Sequence, residues 1–185
     1  EWSDTTFPTL AFGQGMSQTA LQLANVTATI GNDGVPVQPR LIDSYRAPDG
    51  TIEKTAPVQG EPVITPETAK TMQSMMQMVV GEGGTAQVAE VPGYLMGGKT
   101  GTAQRYDEKC GCYSGYTASF IGMAPADDPQ IVVGAWFDHP RNGYYGGEVA
   151  APVVQKLMTT ALASQNVPPT GGKRANYPLT WGGLS

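Results

Sequence analysis

The centre of the chain reads Gly97-Gly98-Lys99-Thr100-Gly101-Thr102-Ala103-Gln104. Side chains alternate between the two faces of a strand, so we expect Thr100 and Thr102 on one face and Lys99 with Gly101 on the other. A glycine inside a strand is usually tolerated where a ligand or a packed element approaches the backbone closely. The segment therefore predicts a strand that presents two hydroxyls on one surface, beside a lysine that leans towards burial.

The residues around this strand predict an antiparallel meander. We expect strands at 94–105, 116–123 and 130–137, with a hairpin loop at 107–114. The third strand is almost entirely apolar, which is typical of a central strand covered on both faces. A last helix is predicted over 148–164, with Pro152 in its first turn and an apolar stripe that should pack on the sheet.

Two helices are predicted before the strands. Thr19 and Gln22 have the spacing of a capping box and predict a helix over 20–31, which has almost no polar face and should be buried on most sides. A second helix is expected to begin at Thr65-Pro66-Glu67, where a hydroxyl, a proline and an acid suit the first turn. Its apolar stripe is predicted to pack in the core and consists of Met72, Met75, Met76 and Val79. Between the helices we expect a small edge ribbon.

The composition argues against some classes of function but does not identify one. The net charge of −5 offers no electrostatic footprint for nucleic acid. The longest strongly apolar run, 131–137, is too short to span a bilayer, so the piece as given is expected to be soluble. The chain opens without a methionine or a targeting segment. We therefore expect a fragment, and any targeting segment or membrane anchor of the protein is expected to lie outside it.

The cysteines and the histidine do not predict a metal site. Cys110 and Cys112 are the only two cysteines and His139 is the only histidine, whereas a zinc site needs about four ligands. His139 is expected to be structural or exposed. The cysteines are expected either to form a local disulfide or to remain two free thiols at a loop tip, and the sequence leaves both alternatives open.

Three segments in this order carry a family resemblance. Phe12-Gly13-Gln14-Gly15 precedes the helix at Thr19, Lys99-Thr100-Gly101-Thr102 follows, and Tyr144-Tyr145-Gly146-Gly147 comes before the last helix. Lys-Thr-Gly is one of three short motifs of serine penicillin-binding proteins and β-lactamases. Together with its flanks, the chain resembles class B penicillin-binding proteins, and cell-division D,D-transpeptidases of the FtsI type most of all. The resemblance covers about residues 7–167.

The resemblance implies an α+β fold, a helix-sheet-helix sandwich with an antiparallel sheet, of which this chain is the C-terminal portion. It also implies a role for each site residue. Lys99 would bring positive charge to the proton-relay side of the cleft, and Thr100 and Thr102 would offer hydroxyls to the terminal carboxylate of the substrate. The backbone N–H of Thr102, beside Gly101, would be one donor of the oxyanion hole. Tyr144 and Tyr145 would form an aromatic wall beside the cleft, with simple loop packing as an equal alternative for each tyrosine, and Gly146 would belong to the same substrate-binding loop.

The implied reaction cross-links peptidoglycan stem peptides through a serine that β-lactams also acylate, and it uses no cofactor. The implied partners are stem peptides, β-lactams and divisome proteins that include a membrane glycosyltransferase. The implied location is the extracytoplasmic face of the bacterial cell membrane, with an anchor outside this chain. We expect residues 1–167 to be the C-terminal part of the transpeptidase domain and 168–185 to be a Pro/Gly-rich tail.

The sequence departs from the family pattern in one respect. No Ser-x-x-Lys occurs in its 185 residues, and Ser164-Gln165-Asn166 follows Lys-Thr-Gly in the wrong order for the middle motif. The nucleophilic serine and its lysine are therefore expected outside this chain, which should be inactive by itself. Two other functions remain open. One is a penicillin-sensing or stem-binding module without turnover, and the other, less favoured by the flanking motifs, is a class D-like β-lactamase.

Overall fold

A computed structural model of the chain describes residues 4–11, 13 and 16–177. Its helices are α1 (Thr6–Leu10), α2 (Ala20–Gly31), α3 (Pro66–Val80), α4 (Gly146–Val149) and α5 (Ala151–Ser164). Its strands are β1 (Ser44–Arg46), β2 (Ile52–Lys54), β3 (Gly97–Asp107), β4 (Cys112–Ala124) and β5 (Ile131–Asp138). A short 3-10 turn at Gln87–Ala89 lies between α3 and β3. Nothing in the described part of the chain is a helix long and apolar enough to cross a bilayer.

The predicted meander is confirmed, but its lateral order differs from the expectation. The main sheet has the antiparallel order β3-β4-β5, so among the described residues β4 is the middle strand, and the apolar third strand, expected to be central, lies at an edge. Helices α2 and α5 both contact β5. Its residues are nevertheless only half-buried, because its outer edge has no strand beside it among the described residues.

Side chains of β4 alternate between two helical layers. Phe120 and Ala124 point towards α5 and form a core with its buried residues, which are Ala151, Val154, Met158 and Leu162. Met123 points the other way, where it packs with Met76 of α3 and with Leu95. Helices therefore cover both faces of an antiparallel sheet, and the chain has the expected α+β sandwich architecture.

Side-chain caps fix the starts of the two long N-terminal helices. Thr19 accepts a hydrogen bond from the Gln22 backbone N–H at 3.2 Å, and Gln22 Oε1 accepts one from the Thr19 backbone N–H at 2.8 Å. The Thr65 hydroxyl accepts from the Thr68 backbone N–H, and Pro66 follows at the first helical position. Both predicted starts are confirmed. The predicted last helix is interrupted at Ala150, between α4 and α5.

The stripe predicted for the core of α3 was correct for Met76 and for Val79, which packs against the core, and wrong for Met72 and Met75. Met76 is 8% exposed, but Met75 is 51% and Met72 38% exposed. The buried face of α3 is instead made of Ala69, Gln73, Met76, Gln77 and Val80. The face includes two glutamines because each has a backbone partner: Gln73 donates to the carbonyl of Ile30 at 2.7 Å, and Gln77 Oε1 accepts from Ala175 N–H. A glutamine can therefore occupy a core position without leaving a polar group unsatisfied.

Helix α2 is less buried than its composition predicted. Only Thr27 and Thr29 are buried, while Leu21 is 62% and Val26 51% exposed. The helix contacts α3, β4 and β5 on one side, and nothing in the described residues covers the other. The expectation of burial on most sides was wrong for this reason.

Three smaller segments complete the fold. Strands β1 and β2 pair as the expected small ribbon, which is a sheet of its own and not an edge of the main sheet. The β3–β4 hairpin turn is shorter than expected, since the strands extend to Asp107 and Cys112. Cys110 and Cys112 form a disulfide there, so the alternative of two free thiols does not hold.

The part of the expected tail that is described lies against the body of the domain. Thr170 donates to Asp127, and Arg174 donates to the Gln77 carbonyl at 2.9 Å and to Glu90 at 3.0 Å. The boundary between 167 and 168 remains a prediction, and residues 178–185 of the tail lie outside the described residues.

Candidate active site

The side chains of Thr100 and Thr102 on β3 both lie towards the start of α4, as strand alternation predicts, but only the Thr102 hydroxyl is bonded to it. Thr102 Oγ1 accepts a hydrogen bond from the backbone N–H of Gly146 at 3.3 Å. The methyl group of Thr100 lies 3.6 Å from the place where a Cβ at Gly147 would stand. Both threonines are half-buried, so their hydroxyls lie at the surface of the sheet and not within the core.

The side chain of Lys99 is exposed, so the expectation that it leans towards burial was wrong. Its ammonium donates one hydrogen bond to the carbonyl oxygen of Thr100 at 2.7 Å. An ammonium carries three donors, so this contact leaves two of them available. The physical reason for the exposure is the position of β3 at the edge of the sheet, where no strand covers its outer side in the described residues.

Glycines allow β3, β4 and α4 to approach one another closely. A Cβ at Gly101 would overlap the hydroxyl oxygen of Ser119, the residue opposite it on β4. A Cβ at Gly146 would overlap the backbone carbonyl of the same serine. The buried Gly146 can therefore reach Thr102 only because it has no side chain.

Three tyrosines form a stack beside this surface. Tyr144 stacks on Tyr116 with ring centroids 4.8 Å apart, and Tyr145 lies 4.3 Å from Tyr144. Tyr144 donates a hydrogen bond to the hydroxyl of Tyr145, which is the main reason why the pKa of Tyr144 is raised above its ordinary value. The loop that carries Tyr144 and Tyr145 continues directly into Gly146. The two aromatic residues therefore precede, in the same loop, the residue that donates a hydrogen bond to Thr102. Tyr116 was not expected from the sequence, because its role depends on the pairing of β4.

A charged cluster anchors the beginning of the same loop. Arg105 Nε donates to Asp138 at 2.8 Å, and its Nη1 lies 2.6 Å from His139 Nδ1. The ring of His139 occupies the space beside Gly115, where a Cβ would come within 2.6 Å of it. The lone histidine is thus exposed and structural, in agreement with the expectation, and it ties the end of β5 to β3.

A further residue of the surface comes from the segment before β3. The Thr85 hydroxyl lies 3.2 Å from the Thr100 hydroxyl. Sequence reasoning missed Thr85. Gly84-Thr85-Ala86-Gln87 repeats as Gly101-Thr102-Ala103-Gln104, but the repeat aligns Thr85 with Thr102 and not with Thr100, so it did not indicate this contact. One copy follows a helix and the other lies in a strand, so the two are not a structural repeat.

The site therefore combines two hydroxyls, an exposed ammonium and an edge strand whose outer side has no neighbouring strand among the described residues. Such groups can bind a carboxylate through charge-assisted hydrogen bonds and can stabilise a developing oxyanion with a backbone N–H. Of the Phe12-to-Gly15 motif only Gly13 is described, and Phe12, Gln14 and Gly15 lie outside the described residues.

Comparison with known proteins identifies the family. Residues 1–159 match the family model described as the penicillin binding protein transpeptidase domain. The chain is 44% identical over 178 residues to penicillin-binding protein PbpB of Mycolicibacterium smegmatis, covering 91% of this chain and 28% of that protein. It is 35% identical over 173 residues to the probable peptidoglycan D,D-transpeptidase PenA of Neisseria flavescens, covering 91% of this chain and 40% of that protein.

A solved structure is also similar. The crystal structure of penicillin binding protein 3 from Mycobacterium tuberculosis, complexed with aztreonam, matches with a TM-score of 0.83 and 38% identity, covering 97% of this chain and 42% of that one. The chain thus spans less than half the length of these relatives. The family match extends over most of the sequence and agrees with the sandwich fold, and the chain therefore belongs to the penicillin-binding protein transpeptidase domain family.

Proposed function

We propose that this chain forms one wall of the active site of a serine D,D-transpeptidase, which cross-links peptidoglycan stem peptides during septal cell-wall synthesis and is acylated by β-lactams. One observation carries the proposal: Lys99, Thr100 and Thr102 place an ammonium and two hydroxyls on the edge strand of a transpeptidase-family domain. The name of the Neisseria relative and the aztreonam complex of the similar structure support the reaction and the inhibitor class.

Each residue has a role in this proposal. The Gly146 N–H already donates to Thr102 Oγ1, so the hydroxyl proton of Thr102 is free to donate to the terminal carboxylate of a stem peptide. Lys99 adds positive charge, which makes the contacts with a carboxylate charge-assisted. The backbone N–H of Thr102 serves as one oxyanion donor, and Gly101 keeps the strand close enough to β4 to hold this donor in place.

The nucleophilic serine and its lysine belong to a part of the domain outside this chain. Two surfaces favour packing of such a part: the outer edge of β5, which has no neighbouring strand in the described residues, and the exposed apolar side chains of Leu21 and Val26 on α2. An open strand edge and an uncovered apolar helix face are both unfavourable in water. The chain alone is therefore inactive in this proposal.

The cellular setting is part of the same proposal. The complete protein acts at the extracytoplasmic face of the bacterial membrane, held by an anchor outside this chain. It works with divisome proteins that include a membrane glycosyltransferase. The support for this setting is the likeness of the three motifs to division-type transpeptidases.

The test uses the full-length protein and a fluorescent penicillin. Lys99→Ala and Thr102→Val should each slow acylation, the first by about a hundredfold or more, because each removes a contact that helps bind or polarise the acyl donor. Lys156→Ala, on the exposed side of α5, is the matched control and should leave the rate unchanged. Unchanged acylation in Lys99→Ala would contradict the proposed site.

A second assay separates the transpeptidase from a penicillin-sensing or stem-binding module. The wild-type protein should release D-alanine from a stem pentapeptide in the presence of an acceptor amine. Acylation by penicillin without any such release would favour the module without turnover.

A further inference from the structure

The segment between α3 and β3 is held firmly against the candidate site. Ala86 is buried, and its N–H donates to the carbonyl of Val79 in the last turn of α3 at 2.9 Å. A Cβ at Gly84 would overlap the carbonyl oxygens of Met78 and Val79, so the turn before Thr85 requires glycine. The backbone contacts of the residues before and after Thr85 therefore fix its position.

Thr85 contacts two of the elements that make up the site. Its hydroxyl lies 3.2 Å from that of Thr100 on β3. Its carbonyl oxygen packs so closely on Gly147 of α4 that a Cβ there would overlap it. The side chain of Thr85 is itself exposed, so the Thr85–Thr100 pair lies where a ligand can reach it.

The proton of the Thr100 hydroxyl can have only one acceptor at a time. A hydroxyl has one donor and two acceptor lone pairs, and either threonine can donate in the present pair. An ionised carboxylate is an acceptor only, so Thr100 must give it its proton and must then accept from Thr85. Thr102 has the corresponding arrangement, because the Gly146 N–H donates to its oxygen.

We propose that Thr85 is a positioning residue for carboxylate recognition: it donates to Thr100 Oγ1 and so directs the Thr100 proton towards the carboxylate of the bound acyl donor. The proposal rests on the proposed function, since that function supplies the carboxylate. Hydrogen bonds in a chain strengthen one another, so the Thr85 contact should increase the donor strength of Thr100. Thr85 touches no reacting atom and acts through Thr100.

The test is a double-mutant cycle in the full-length protein. Thr85→Val keeps the shape and removes the hydroxyl, and it should slow acylation by benzylpenicillin roughly three- to tenfold, the effect of one hydrogen bond. Thr85→Ser retains the hydroxyl and should restore most of the rate. In a Thr100→Val background, Thr85→Val should slow acylation no further. With the methyl ester of benzylpenicillin, which has no carboxylate, Thr85→Val and the wild type should be acylated at the same rate.

The outcomes separate the two proposals. An unchanged rate in Thr85→Val, or an equal loss in the Thr100→Val background or with the ester, would overturn the positioning role. Melting temperatures of all variants show whether a loss is only a loss of folding, and such a loss would affect acid and ester alike. A wild-type protein that benzylpenicillin does not acylate would instead overturn the proposed function.

Discussion

Gly101 and Gly146 both lack a side chain where Ser119 comes close, but they meet different atoms of that serine. At Gly101 the neighbour is the hydroxyl oxygen, which Ser119→Ala removes, whereas at Gly146 it is the backbone carbonyl, which no substitution of Ser119 removes. A Cβ added at residue 101 would stand 3.7 Å from the Ser119 Cβ, which is an ordinary contact distance. The same substitution should therefore have different consequences at the two positions.

We expect Gly101→Ala to destabilise the full-length protein by about 1–3 kcal/mol and to slow acylation, because an added methyl group overpacks the strand pair. Ser119→Ala removes the overlapping oxygen and should restore both properties in the double variant. The same Ser119→Ala change should not rescue Gly146→Ala, which serves as the control. Thermal unfolding and penicillin acylation measure the effects, and failure of Ser119→Ala to rescue Gly101→Ala would contradict this account of the contact.

At the scale of elements, local signals predicted where helices begin but not which face is buried. The starts of α2 and α3 depend on caps within four residues of sequence, and both were predicted correctly. The buried face of α3 depends on Ile30 and Ala175, which are distant in sequence and satisfy Gln73 and Gln77. Hydrophobic periodicity treats a glutamine as a solvent-facing residue, so it left Gln73 and Gln77 out of the buried face and included the exposed Met72 and Met75.

The two neighbouring methionines of α3 provide a matched pair. Met76→Ala should lower the free energy of unfolding by about 2–5 kcal/mol, because it opens a cavity next to Leu95 and Met123. Met75→Ala should change it by less than about 0.5 kcal/mol, since the side chain is already exposed. Chemical denaturation of the full-length protein measures both. Similar losses for the two variants would mean that α3 is rotated from the position described.

The apolar run of β5 predicted a strand covered on both faces, and α2 and α5 do contact it, but the order of strands is not encoded in one strand's composition. A strand covered on both faces can have the same sequence whether or not another strand lies beside it.

In the candidate site, the Lys-Thr-Gly-Thr motif predicted that the side chains of Thr100 and Thr102 lie on the same face of β3. It could not predict Thr85 or Tyr116, because their contacts arise only when separate segments are brought together by the fold.

At the scale of the whole molecule, the described part of the chain has a closed core and two uncovered surfaces. The core between the sheet and α5 is closed, and the described tail crosses from Asp127 to Gln77. The outer edge of β5 and one face of α2 have no partner in the described residues. In the proposed function, another part of the domain covers these two surfaces and supplies the nucleophile.

The most direct test of this division of labour is the site of covalent attachment. The full-length protein is treated with a fluorescent penicillin, digested, and examined by mass spectrometry to identify the acylated residue. We predict a single acylated serine outside the 185 residues of this chain, with labelling slowed by Lys99→Ala. A penicillin adduct on a residue within this chain would contradict the account.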